Sequence, residues 1–176
     1  KKAVYDHTKA LIEYYAPYVT VWQAINEAML YHTNALNLNL DQHMEVVASV
    51  VQAIRTYAPL DTIEVNNCQV FGEGINPSLC AQGYERVPDE FYRSLLEHGV
   101  EFDAIGMQLY YGGYMDAGLW KGGFPIRHPW DLEAIIERYS TLGKPIYITE
   151  VSVPSSHPAP DRGIDFGYWH GPWNPE

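Results

Sequence analysis

Positive charge is scarce in this sequence. Lys and Arg number 11 against 22 Asp and Glu, a formal charge of −11. A surface of that sign repels phosphate backbones, so nucleic acid is not the expected partner. Long apolar runs are also lacking. No stretch reaches the roughly 18 residues that a membrane span needs, so no membrane partner is expected either. No signal peptide or other targeting segment is visible. Cysteine is nearly absent, and Cys68 with Cys80 fits no zinc spacing. A disulfide between them would close a short loop and suit an exported protein; two buried thiols fit equally well. The seven histidines match no HExxH or other ligand pattern and read as surface or hydrogen-bonded loop residues. Neither a metal nor a cofactor is expected.

A phosphate-binding loop is missing too. Gly112-Gly113 lacks the later glycine of GxGxxG, and Gly72-Glu73-Gly74 has no helix directly after it. That weakens any nucleotide-binding reading. What is present is a globular composition: 47% hydrophobic and 19% charged residues in a chain of 176. Aromatics reach 14%, with 14 Tyr and 5 Trp. Most suit a packed core, while Trp and Tyr also offer a flat apolar face with a polar handle to a sugar.

Periodicity predicts a helix over 3–16, stopped by Pro17, then a strand over 19–27, VTVWQAINE. Asp41 reads as the N-cap of a helix reaching Tyr57, and 62–67, TIEVNN, reads as a short strand. A Gly-, Asn- and Pro-rich loop runs from Cys68 to Pro88, followed by a helix over 88–98. FDAIGMQLYY, 102–111, is a nearly continuous apolar run that suits a parallel strand buried on both faces. A loop follows, then a helix over 130–142 ended by Gly143, and a strand over 144–153. The remainder, rich in Pro, Gly and Trp, has no clear period. Strands alternating with helices argue for a parallel α/β fold. Val21, Ile105, Met107 and Ile148 read as its inward-facing side chains.

The informative residues end strands. Glu27 closes the first and Glu150 the last, and parallel α/β proteins place their working groups at carboxyl ends. Either glutamate alone is equally well read as a solvated loop acid or a helix cap. The pair is more telling. In a flat sheet, three strand steps separate them by about 14 Å, too far for cooperation. In a closed barrel both can approach the axis, where a retaining glycosidase needs its carboxyls about 5–5.5 Å apart.

Three segments resemble glycoside hydrolase family 10, the endo-β-1,4-xylanases. Trp22 to Ala28, WQAINEA, is similar to the acid/base segment W-D-x-x-N-E-A. Phe102 to Gln108, FDAIGMQ, resembles the sixth strand, and Ile146 to Val153 resembles the nucleophile strand I-T-E-L-D-V. They occur in family order. The resemblance implies a (β/α)8 TIM barrel of which about half is present, with residues 1–176 a single partial catalytic domain running from the third helix to just past the seventh strand. It implies Glu27 as acid/base and Glu150 as nucleophile in retaining hydrolysis of a polysaccharide or oligosaccharide, xylan preferred. Asn26 would meet the sugar 2-hydroxyl and the nucleophile, Gln108 would sit under the nucleophile, and Asn66 matches an asparagine ending the fifth strand. A secreted, extracellular or periplasmic location is implied as well.

Two positions depart from the pattern. Gln23 replaces the usual Asp, and Tyr110 stands where the family has a His that orients the nucleophile. A Tyr hydroxyl can do similar work, which keeps a related clan member acting on another β-glycan in view. A non-catalytic carbohydrate-binding fragment is the reading from a different class. Trp169 and Trp173, after Glu150, are candidate sugar-stacking residues. Tyr111, Tyr114 and Trp120 are candidates for lining a cleft or packing a loop. The open strand edges of half a barrel imply self-association, and activity is expected of a longer polypeptide that supplies the other strands.

Overall fold

The computed structural model describes residues 1–28, 34–72, 75–110, 113–117, 120–124 and 127–152. Helix α1 (Lys2–Tyr15) leads into strand β1 (Val21–Asn26), then α2 (Leu40–Tyr57) and β2 (Thr62–Asn67). A short α3 (Pro77–Ala81) precedes α4 (Pro88–Glu97) and β3 (Ala104–Tyr110). A hairpin of β4 (Gly113–Ala117) and β5 (Trp120–Phe124) comes before α5 (Pro129–Ser140) and β6 (Ile146–Ser152). Strands β1, β2, β3 and β6 form one parallel sheet in that order. This is about half of a (β/α)8 barrel.

Local chemistry sets the helix starts. The cap of α2 is Asn39, not Asp41: its side chain accepts from the Gln42 amide, and Gln42 Oε1 accepts from the Asn39 amide. This reciprocal box satisfies two orphan donors, and leaves Asp41 in the first turn against the positive helix end. Pro88 and Pro129 open α4 and α5, where a missing N–H costs nothing. The loops after β2 and β3 hide the elements that periodicity does not give. Asn76 caps the five-residue α3, and Gly113 pairs with Phe124 across the hairpin.

One face of the sheet carries the core. Val47, Val51 and Ile54 of α2 and Phe91, Tyr92 and Leu95 of α4 share a buried cluster with Ile63, Val65, Ile105 and Met107. Each large side chain so buried contributes about 1.5–3 kcal/mol. Ile105 and Met107 therefore face the helices, not the barrel interior. Strand alternation requires it, because Gly106 and Gln108 take the other face. Tyr92 pins α4 to two strands, donating to the carbonyls of Val65 (3.2 Å) and Gly106 (2.8 Å). Asp89 of α4 takes a two-bonded Arg138 of α5 at 2.9 and 2.7 Å. No disulfide joins Cys68 and Cys80.

The outer strands are different. Among the described residues β1 and β6 each pair on one side only. Val21 is 48% exposed, Ile148 46% and Val151 63%. Unpaired apolar edges of this kind template association. The 20.0 kDa chain is expected to sediment as a species heavier than a monomer. Replacing Val21 and Ile148 by Lys should shift it toward the monomer. A wild-type chain that stays monomeric at high concentration would show that the edges are not sticky.

Candidate functional site

Both strands that bear a candidate carboxylate are irregular just before it. On β1 the register passes from Gln23 opposite Glu64 to Ile25 opposite Val65, with Ala24 as the extra residue. On β6 it passes from Ile148 opposite Met107 to Glu150 opposite Gln108, with Thr149 as the extra residue. Such bulges re-aim the side chains that follow. Asn26 is thereby set opposite Asn66, and Glu150 opposite Gln108.

Directly after β1, Glu27 adopts a left-handed backbone, φ +55°. For a residue with a Cβ this costs roughly 1–2 kcal/mol. Its amide donates to the Asn66 carbonyl at 3.0 Å, which extends the β1–β2 ladder one step and holds the turn. Strain kept in place by neighbours is a frequent mark of a working residue.

The side chains make one connected polar chain across all four strands. Gln108 Nε2 donates to Glu27 Oε1 at 2.9 Å and to Asn26 Oδ1 at 3.0 Å. Asn66 Nδ2 donates to the same Asn26 oxygen at 2.6 Å. Thr149 Oγ1 donates to Asn66 Oδ1 at 2.6 Å. Tyr110 Oη donates to Glu150 Oε2 in a very short hydrogen bond. Burial first, then the bond to Glu150 and the charges of Glu150 and Glu27, push the Tyr110 hydroxyl far up, so it remains a donor. Gln108 and Tyr110, two residues apart on β3, thus hold one candidate carboxylate each.

The sequence-derived residues divide as follows. Asn26, Glu27, Asn66, Gln108, Tyr110 and Glu150 belong to the connected site or its margin. Gln108 lies in register with Glu150 while its amide bonds Glu27 and Asn26. Trp169 and Trp173 lie outside the described residues, as do Tyr111 and the side chains of Tyr114 and Trp120. Trp22 is half-buried beside the core and donates to Asp61 at 2.7 Å, toward the other end of β1.

Three contributors escape the sequence reading. Thr149 looks like an ordinary strand residue until the bulge turns it inward. Glu64 is a carboxyl buried within β2, two residues before Asn66; the i, i+2 spacing that puts both on one face of the strand was its available signal. His43 is not a surface or loop residue. It is buried on α2 and lines a cavity of about 200 Å³ with Asn26, Glu27, Asn34 and Leu36. Burial lowers its pKa, which favours a neutral imidazole. Among the described residues no group of three His, Cys, Asp or Glu could hold a metal ion.

Comparison with known proteins gives matches by structure only. No family sequence model matches the chain, and no curated protein sequence does. A family 10 glycoside hydrolase structure from Paenibacillus barcinonensis superposes with a TM-score of 0.61 at 16% identity, covering 90% of this chain and 46% of that one. The family 10 xylanase of Thermobacillus composti gives 0.58 at 19%, covering 86% and 40%. An intracellular xylanase from Thermoanaerobacterium saccharolyticum, solved with xylotriose, gives 0.56 at 16%, covering 86% and 44%. The chain therefore spans less than half the length of these solved structures. The likeness establishes the fold, part of the (β/α)8 barrel seen in family 10 xylanases.

The strained turn yields a test independent of activity. Glu27→Gly and Glu27→Ala both remove the carboxyl, but only glycine relieves the positive φ. The glycine variant is expected to be the more stable by about 1 kcal/mol, read by denaturant titration. Equal stabilities, or a more stable alanine variant, would mean that residue 27 is not strained.

Proposed function

We propose that this chain carries the catalytic pair of a retaining glycoside hydrolase that cleaves β-1,4-linked xylan. One observation carries the reading. Two strand-end glutamates are each held by a side chain from one face of β3, Glu27 by Gln108 and Glu150 by Tyr110. The half-barrel fold, of the kind found in solved family 10 xylanases, supports it. The substrate class follows from the same likeness, since one of those xylanases was solved with xylotriose. A secreted location is proposed with it, on the sequence resemblance.

The chemistry runs in two displacements. Tyr110 holds Glu150 Oε2, leaving the other carboxylate oxygen to attack the anomeric carbon. The glycosidic C–O bond breaks as the proton of the Glu27 carboxyl passes to the departing oxygen. Glu27, now a carboxylate, takes a proton from water, and the resulting hydroxide attacks the anomeric carbon. The ester bond to Glu150 breaks and both carboxyls return to their starting states. Gln108 fixes one oxygen of Glu27 throughout, and Asn26 sits between the two arms of the site.

Tyr110 favours a second reading of the substrate. A tyrosine in place of histidine beside the nucleophile is compatible with another β-linked glycan. Parallel assays on xylan and on β-1,4-glucan and β-1,4-mannan would distinguish them.

The assays use this chain and any longer polypeptide that contains it. Glu150→Gln should lose nearly all turnover on every substrate, because the amide cannot form the glycosyl ester. Glu27→Ala should lose about 10²–10⁴-fold on substrates with poor leaving groups and far less on activated aryl glycosides, which need no proton. Tyr110→Phe removes a hydrogen bond to a charged group, about 1.5–3 kcal/mol of orientation, and should lower kcat more than it changes KM. An equal loss for Glu27→Ala on every substrate would remove it from the acid role.

A further inference from the structure

The buried carboxyl of Glu64 takes no part in the two displacements, and its position calls for a role. It is 4% exposed, and among the described residues no donor reaches its Oε1. A buried, unpaired carboxylate is costly, whereas a neutral carboxylic acid is both tolerable and a hydrogen-bond donor. Gly106 makes room for it. A Cβ at that position would lie 1.5 Å from Glu64 Oε1 and 2.8 Å from Asn66 Oδ1. The carboxyl and the Asn66 amide oxygen therefore converge on one small space over the Gly106 backbone.

Asn66 has a specific need at that oxygen. Its Nδ2 must point to Asn26 and its Oδ1 must accept from Thr149 for the polar chain to hold. A neutral Glu64 adds a second donor to Oδ1 and reinforces that orientation. An ionised Glu64 sets two acceptors against each other and favours the reversed amide, which would turn an N–H toward Thr149 and break the link to Asn26. We propose that Glu64 is a positioning residue, held as a neutral acid over Gly106, whose proton fixes the amide orientation of Asn66 and through it the Asn26–Gln108–Glu27 arm of the site. Its bearing on catalysis rests on the function proposed above; the positioning itself does not.

The surroundings agree with a neutral group. Tyr92 approaches from α4 and feels the charge of Glu64. Asn66 lies on the same strand, Gly106 and Gln108 on β3, and Thr149 on β6. Gln23 is opposite Glu64 on β1. Tyr92 is the titratable group here, and itself stays protonated because burial raises its pKa strongly. Among the described residues no cation acts on Glu64, and burial alone pushes its carboxyl up to about 7. That value lies above the 4.5 of an unburied glutamate, so the folded state holds the proton more tightly. The stabilisation is fully present below about pH 4.5 and is lost as pH rises through 7.

The test follows the side-chain amide of Asn66 by ¹⁵N NMR and folding stability by denaturant, from pH 5 to 8.5. In the wild-type chain the Asn66 resonance should move with an inflection near pH 7. The folding constant should fall on the order of a hundredfold across the range. Glu64→Gln keeps a donor at every pH and should abolish the inflection while preserving the low-pH chemical shift. A residue that merely filled space would not couple its protonation to the Asn66 amide. The proposal is overturned if the wild-type resonance does not titrate near pH 7, or if the inflection persists in Glu64→Gln. The wild-type titration decides even if the variant fails to fold. Neither readout uses turnover, so a protein that titrates as described yet hydrolyses no glycan would count against the proposed activity alone.

Discussion

The amide of Asn66 cannot be reversed without losing its bond to Asn26, the link from the middle of the sheet to β1. Its nitrogen bonds Asn26 and its oxygen accepts from Thr149, so it ties β1, β2 and β6 together from the middle of the sheet. Its backbone carbonyl also receives the amide of Glu27, which holds the strained turn. Burial makes these bonds consequential, because a polar group sealed from water loses far more when its partner leaves than an exposed one does. Much of the architecture serves that one position. Helices α2 and α4 seal the other face of the sheet, and Tyr92 locks β2 to β3 directly beneath it.

Fold and site were legible in the sequence to different degrees. Strand β2 was given residue for residue, because TIEVNN is bounded by Pro59 and by a polar loop. Helix α2 showed its apolar stripe, but its start was misplaced because Asn39 and Asp41 are both good caps. The choice depends on Gln42 reaching back, a pairing that only three-dimensional geometry displays. The hairpin β4–β5 was hidden because its strands are rich in glycine and poor in β-branched residues, so they carry no strand signal. The candidate carboxylates stood out because they end apolar strands. Thr149 did not, because a bulge shifts facing by one residue and leaves no compositional trace.

The inward assignment of Ile105 and Met107 failed for an instructive reason. A continuous apolar run such as AIGMQL reads as buried on both faces, and it is, but by different means. Ile105 and Met107 enter the hydrocarbon core with α2 and α4. Gly106 and Gln108 enter a polar interior, where the small residue makes room for Glu64 and the amide spans two strands. The glycine and the glutamine were the marks of the polar face within that run.

Gln108 bridges two strands that are not neighbours in the sheet. It belongs to β3, and its amide bonds Asn26 and Glu27 at the end of β1, across the whole width of β2. In a flat sheet those strands are about 9.6 Å apart and their side chains project in parallel. Gln108 spans that width because its side chain and those of Asn26 and Glu27 reach toward each other. Glu150, in register with Gln108, lies on the strand at the other side of β3. Tyr110, two residues on from Gln108, holds Glu150 in turn. Strand β3 therefore supplies a partner for both glutamates from two residues, Gln108 and Tyr110, that alternation sets on one face.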